Sequence, residues 1–269
     1  NWEAGWEFRR SFIQFRDNRE KFPHFSPNEM YYGALQVAVG TIPDGYRWLS
    51  HLLGLKGSIH EGMFRLNSFL HKGDDYALLF HQEAAFFYCY LKFYIENKKE
   101  EVFEFIRDDG LDTRNSHLFA YLAANLSLNN QQSDQSIGYI LGRNREAGYF
   151  DTPVWDFELA YARLHHLEPE AGPYFERFLE RFRGRFYVKD ALQKLSWYYY
   201  LRGEQARADY YRSLILKRGS ADTEADKQAL KEARSGQWPD PVLLRARLLD
   251  DGGYFRESLR LLQGKSYTD

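Results

Sequence analysis

A chain of 269 residues with 44% hydrophobic side chains is long enough to bury a sizeable core and too apolar to be a disordered polyelectrolyte. Its net charge of −2 argues against a general polyanion binder. The single cysteine, Cys89, excludes an intrachain disulfide, and no run of about 18 apolar residues marks a membrane span.

In chain order, Trp2 to Lys21 reads as an amphipathic helix. Trp6, Phe8, Phe12, Ile13 and Phe15 make its apolar side; Arg9, Arg10, Arg16, Asp17, Arg19 and Glu20 make its wet side. Pro23 and Pro27 end it, and a second helix runs from Asn28 to Val39. Thr41-Ile42-Pro43-Asp44-Gly45 is a turn, because Pro43 fixes its own φ and disfavours a helical Ile42. Tyr46, Leu49, Leu52 and Leu53 then recur at helical spacing, and Gly54 and Gly57 suit a tight helix exit. Ser58 followed by Glu61 has the capping-box pattern, and the helix it opens shows Ile59, Met63, Leu66 and Leu70 on one face. Gly73-Asp74-Asp75 closes this N-terminal region, residues 1–72.

The spacing of Pro43, Gly54, Gly57, Gly62 and Leu66 resembles the segment that precedes the repeats in the tetratricopeptide repeat protein 39 family, which includes the fungal inclusion-body clearance proteins. Two positions depart from the family pattern: Gly40 stands where serine is usual, and Leu55 where an aromatic is common. The resemblance implies an all-helical tetratricopeptide-type fold over most of the chain. It brings no catalytic site.

From residue 73 to 269 the chain reads as five helical hairpins of about 34 residues each, the tetratricopeptide period. The first turns at Asn97-Lys98-Lys99, with Phe86, Phe93, Val102 and Ile106, and Cys89 is expected to be a buried, inert thiol. The second turns at Asn129-Asn130, 33 residues after Asn97, with Phe119, Leu122, Ala123 and Leu126 before it and Ile137, Ile140 and Leu141 after. A looser third, 152–184, holds Trp155, Leu159 and Ala162, then Phe175, Phe178, Leu179 and Phe182 behind Pro169. The clearest, 188–219, places Leu192, Leu195, Ser196, Tyr199, Gly203 and Ala208 in the large-large-small-aromatic-glycine-alanine order of such repeats, with Arg212 as the departure and Tyr211, Leu214 and Ile215 on its second helix. An extra helix at about 223–233 precedes the last hairpin, which turns at Gly252-Gly253 between Val242, Ala246 and Leu249 and Ser258 and Leu262. The expected architecture is all-α, a right-handed α-solenoid of hairpins packed continuously with the N-terminal region. A high aromatic content, 17%, suits rings filling the gaps between hairpins.

Catalytic and metal patterns are missing from the sequence. His60-Glu61 begins like a zinc-protease motif, but Phe64 stands where the second histidine belongs. His165 and His166 are adjacent, so on a helix they point about 100° apart and read as a helix end. No phosphate-binding or nucleophile-elbow glycine pattern is present. Asn125-Leu126-Ser127 is a formal glycosylation sequon inside a helix. No enzyme activity and no cofactor is expected. Arg177, Arg181, Arg183, Arg185 and Lys189, interleaved with Phe178, Phe182, Phe186 and Tyr187, make the strongest basic-aromatic cluster; it reads as a basic helix end over core rings, with RNA binding as the alternative.

The first helices of such a solenoid line its concave side. The groove positions are then Asp190, Gln193, Trp197 and Tyr200, with His117, Ala120, Ala124, Leu243 and Arg247 from neighbouring hairpins. The expected function is a non-enzymatic scaffold or adaptor that binds a protein or peptide there, without nucleic acid. The alternative is a small-ligand carrier or enzyme with a pocket at the Gly54–Gly62 turn, using His51 and His60. The sequence opens on Asn1, with no signal-peptide pattern, and closes on Tyr267-Thr268-Asp269 inside a repeat-like region, so a removed leader and a truncated array both stay open. Compartment, partner identity and oligomeric state are not legible.

Overall fold

The computed structural model describes residues 2–108 and 110–264; the side chains of Trp2, Ala4 and Leu49, and the closing Tyr267-Thr268-Asp269, lie outside the described residues. Those residues form sixteen α-helices and one 3-10 turn, with no strand among them. No helix among them is long and apolar enough to cross a membrane. Contacts divide the chain into two compact units, 1–112 and 113–269. The expected start of the repeats at residue 73 falls inside the first.

The first unit begins with α1 (Trp2–Lys21) and α2 (Pro27–Gly40). Phe12, Tyr32, Val39 and Leu55 form a buried cluster joined by Phe8 and Phe15, while Trp6 is exposed under the Arg9 guanidinium, 5.2 Å away. A 3-10 turn at Asp44–Tyr46 leads into the short α3 (Arg47–Leu52), which leaves Tyr46, Trp48 and Leu52 exposed. Of the apolar spacing read there, Tyr46 and Leu52 stay outside on a helix of only six residues, while Leu53 packs against the buried cluster. Helix α4 (Ile59–Leu70) starts where the capping pattern places it, with the Ser58 side chain accepting from the Glu61 N–H at 3.1 Å.

Helices α2 and α4 meet backbone to backbone. A Cβ on Gly62 would lie 2.4 Å from the Gly33 carbonyl oxygen, and one on Gly57 would lie 2.7 Å from that of Gln36. The glycines of the hallmark stretch thus serve mainly close approach, while Gly54, at φ 75°, makes the turn. Helix α5 (Asp75–Leu79), absent from the sequence reading, is opened by Asp74, whose side chain accepts from the Ala77 N–H at 2.7 Å. The hairpin α6 (His81–Tyr94) and α7 (Lys99–Asp108) completes the unit, with Cys89, Phe93, Val102 and Ile106 buried.

The second unit holds four hairpins and one extra helix: α8 (His117–Leu128) with α9 (Ser133–Gly142), α10 (Val154–His165) with α11 (Ala171–Arg181), α12 (Val188–Leu201) with α13 (Gln205–Ile215), then α14 (Glu224–Ser235), and α15 (Pro241–Asp251) with α16 (Phe255–Leu262). The repeat signature of α12 and α13 is buried as expected: Leu192, Leu195, Ser196, Tyr199 and Ala208 all lie in the interior. Leu141 is exposed instead, beyond the reach of the α8–α9–α10 cluster. Helix α12 is the centre of the unit, buried on every face, with all but two of its 14 residues inside.

Two contacts close the second unit on itself. Helix α14 packs on α12 and α13, and α15 packs back on α10 and α12. The loop after α15 also reaches the α8–α9 turn: the Ser133 N–H donates to the Gly252 carbonyl at 3.3 Å, and the Tyr254 hydroxyl donates to Asp134 at 2.7 Å.

Candidate functional site

A helix buried all round must find partners for its polar side chains. Helix α12 carries Lys189, Asp190, Gln193 and Ser196 in its buried faces. Its N-terminal N–H groups are met by Asp226, a fully buried carboxylate on α14. That carboxylate accepts from the backbone N–H of Tyr187 at 2.7 Å, of Lys189 at 3.0 Å and of Asp190 at 3.1 Å, and from the Thr223 hydroxyl at 2.7 Å. A negative charge at a helix N-terminus also suits the helix dipole. Tyr187 takes a left-handed φ of 56°, which turns its N–H toward this carboxylate. Lys189 reaches the other way, donating to the carbonyls of Ile215 and of Arg218 (2.9 Å) at the end of α13.

Held in this way, α12 forms one wall of a cavity of about 260 Å³. Helix α10 supplies Tyr161, Leu164 and His165; α12 supplies Asp190, Gln193, Lys194 and Trp197; α14 supplies Gln228 and Glu232; α15 supplies Arg247, Leu248 and Asp251. Tyr161 donates to Asp190, and Lys194 faces the other oxygen of Asp190 at 3.2 Å. Lys194 also lies over the Trp197 ring, 4.2 Å from its centre, and Arg247 lies 5.7 Å from the same ring. Gln193 donates to Glu232 at 2.6 Å, and Arg247 faces Asp251 at 3.7 Å.

Burial sets the ionisation here. It pushes His165 down to about 4, with nearby Lys194 adding to the effect, so the imidazole is neutral at pH 7. Burial raises the carboxyl of Asp251 and, helped by Asp190, raises Tyr161 well above its ordinary value. On α10, facing α8, burial pushes the Glu158 carboxyl up to about 7; its Oε1 accepts from Asn125 at 3.0 Å and its Oε2 has no partner. His165 Nδ1 lies 3.0 Å from the Ser133 hydroxyl. Ser133 has no exposed surface, and a histidine this acidic is a weak base at neutral pH, so the pair presents no nucleophile to a substrate.

Four of the nine groove residues read from the sequence come together at this cavity: Asp190, Gln193, Trp197 and Arg247. Trp197 is only 5% exposed, because α14 and α15 cover the side of α12 that an open solenoid would leave wet. Tyr200 does not line the cavity; it stacks on Trp238 at 4.5 Å and donates to the Pro239 carbonyl at 3.0 Å. His117 does not either; it stacks on Tyr149 at 4.6 Å, with Nε2 2.7 Å from the Asn144 carbonyl oxygen. Ala120 and Ala124 are covered by Trp155 and Leu159 of α10, while Leu243 is exposed outside the cavity. Tyr161, His165, Lys194, Glu232 and Asp251 are lining residues the sequence reading missed. The 3.6-residue spacing of α12 places Lys194 one turn from Asp190 and beside Trp197, the one local signal available.

The other candidate regions are less convergent. His51 and His60 are both exposed, on α3 and α4. Of the basic cluster, Arg177 pairs with Asp156 at 3.0 Å, Arg181 with Asp156 and Asp151 at 3.0 and 2.7 Å, and Lys189 is buried; Arg183 and Arg185 are exposed. Among the described residues no group of three or more His, Cys, Asp or Glu side chains is arranged to hold a metal ion. Compared with known proteins, the chain matches no protein-family model, no curated protein and no solved structure.

Proposed function

We propose that this chain is a non-enzymatic binding module of tetratricopeptide type, a right-handed solenoid of helical hairpins whose concave side in residues 113–269 takes a peptide segment of a partner protein. The observation that carries the reading is the convergence of Asp190, Gln193, Trp197 and Arg247, four positions picked from repeat register alone, on one cavity. Arg247 and Asp251, partly accessible beside the buried Trp197, are charged groups a partner can reach. The spacing from Pro43 to Leu66 and the hairpin period support kinship with the tetratricopeptide repeat protein 39 family. The weak basicity of His165 and the inaccessibility of Ser133 support a role without catalysis.

The volume limits what enters. A cavity of about 260 Å³ suits one side chain, with the rest of the peptide lying outside it. The same volume favours a second reading, a small polar ligand bound alone. Selection from a displayed random-peptide library tests the first reading. Peptides should be enriched by the wild-type chain and lost with the doubly substituted rim variant Gln228→Ala, Arg247→Ala, shown folded by circular dichroism. Enrichment of no peptide, or equal enrichment by the variant, would contradict it.

A further inference from the structure

The charges of the cavity do not balance. It holds three carboxylates, Asp190, Glu232 and Asp251, and two cations, Lys194 and Arg247. Lys194 is paired with Asp190 at 3.2 Å and Arg247 with Asp251 at 3.7 Å. Glu232 is met by neutral amides alone, Gln193 at 2.6 Å and Gln228 at 2.8 Å. The nearby Arg212 guanidinium donates at 3.0 Å to the main-chain carbonyl of Glu232, not to its carboxylate, and leans on Trp238. His165 adds no compensating charge, since burial keeps it neutral. Among the described residues, Glu232 thus forms no ion pair, and the cavity has one negative charge in surplus.

We propose that the cavity selects a basic side chain, the ammonium of a lysine or the guanidinium of an arginine, and seats it on the Glu232 carboxylate. The long aliphatic stem of such a residue suits the apolar part of the wall, Leu164, Leu248 and the edge of Trp197. An anionic group would meet the surplus charge and would have to displace Asp190 or Asp251 from its partner. A neutral aliphatic group would leave Glu232 facing an apolar surface without compensation. The proposal rests on the peptide-module reading in one respect, that the basic group belongs to a peptide.

The test is titration of the isotope-labelled full chain, following the indole N–H of Trp197, assigned with Trp197→Phe. The probes are Nα-acetyl-lysine methylamide, the neutral Nα-acetyl-norleucine methylamide, n-butylammonium and butanoate. The expected result is saturable shifts with the two ammonium probes and none with the other two, weakening as salt rises. Glu232→Gln, at a half-buried position, should weaken lysine-probe binding at least tenfold while leaving the free spectrum folded. Equal binding of norleucine, preferential binding of butanoate, or an unchanged affinity in Glu232→Gln would overturn the proposal. Peptides selected without any basic residue, yet binding at the cavity, would overturn the charge preference and leave the peptide module standing. Ammonium binding with no peptide selected would overturn the peptide origin of the basic group and assign the cavity to a free amine.

Discussion

The α2–α4 pair and the α12–α14 pair each hold two helices together, by opposite means. In the first, side chains are removed: Gly33 and Gly62 bring the backbones into contact, and the interface has no space left in it. In the second, a buried carboxylate is added: Asp226 collects three backbone N–H groups and a hydroxyl, fixing α14 against the start of α12. The glycine contact itself is van der Waals packing, indifferent to salt and pH, although Arg65 of α4 also reaches Glu29 and Gln36 of α2 at 2.6 and 2.7 Å beside it. The carboxylate contact is charge-assisted, and the two helices it joins both line the cavity. Helices that are pinned at one end by polar groups can leave room along their length, and room lined by polar groups is what a ligand needs.

The largest effect should come from Asp226→Ala. It strands the N–H groups of Tyr187, Lys189 and Asp190 in the interior, and a cost of about 3–5 kcal/mol is expected in urea unfolding. A loss below about 1 kcal/mol would show that α14 is not held by this carboxylate. Asp226→Asn, which keeps an acceptor without the charge, should fall between.

Next in size is a pH effect at Glu158. Burial raises its carboxyl to about 7, so the folded state keeps a proton that the unfolded state loses near pH 4.5. Its ionisation therefore costs stability as pH rises through that window, up to about 3 kcal/mol above pH 7. Glu158→Gln should be more stable than wild type by up to that amount at pH 8 and no more stable at pH 4.5. His165 acts in the opposite direction. Its folded value of about 4 lies below the ordinary 6.5, so the stability it contributes is complete above 6.5 and is lost as pH falls toward 4. The two slopes oppose each other between about pH 4.5 and 6.5 in the wild type, and Glu158→Gln should uncover the acid-side loss due to His165. A thermal melt series from pH 4 to 8 reads both; parallel curves for variant and wild type would remove buried ionisation from the account.

On the glycine side, Gly62→Ala should cost about 1–3 kcal/mol by overpacking, independent of salt, since its Cβ would fall 2.4 Å from the Gly33 carbonyl oxygen. Gly45→Ala, with nothing within 4 Å, is the neutral control. Smallest is Ser58→Ala, which removes the cap of α4 and should cost about 1 kcal/mol. A salt-dependent loss in Gly62→Ala would blur the distinction between the two contacts.

Much of the helical framework was legible because periodicity, caps and turn residues agree locally. Ser58 caps where its spacing says, and the α12–α13 signature is buried position by position. What the spacing concealed was long-range. The helix at about 223–233 looked like an insertion between hairpins; it is the element that caps α12 and walls the cavity. The groove register located Asp190, Gln193, Trp197 and Arg247, while Tyr200, His117, Ala120, Ala124 and Leu243 share first helices of hairpins and lie elsewhere, because the packing of α14 and α15 is not written in the local register. It missed His165 because a doubled histidine at a helix end carries no local sign that α15 will pack over it. The basic run from Arg177 to Lys189 read as a basic helix end over core rings; that Arg177 and Arg181 pair with Asp151 and Asp156 was hidden because those aspartates sit about 20 to 30 residues earlier.

The most direct test of the cavity as a binding site is photo-crosslinking of a library-selected peptide carrying a diazirine in place of each side chain in turn, with the adducts mapped by mass spectrometry. The account predicts adducts on Gln228, Glu232, Arg247 or Leu248 from one peptide position, lost on competition with unlabelled peptide. Adducts confined to α9, α11, α13 or α16, or to residues 1–112, would contradict it.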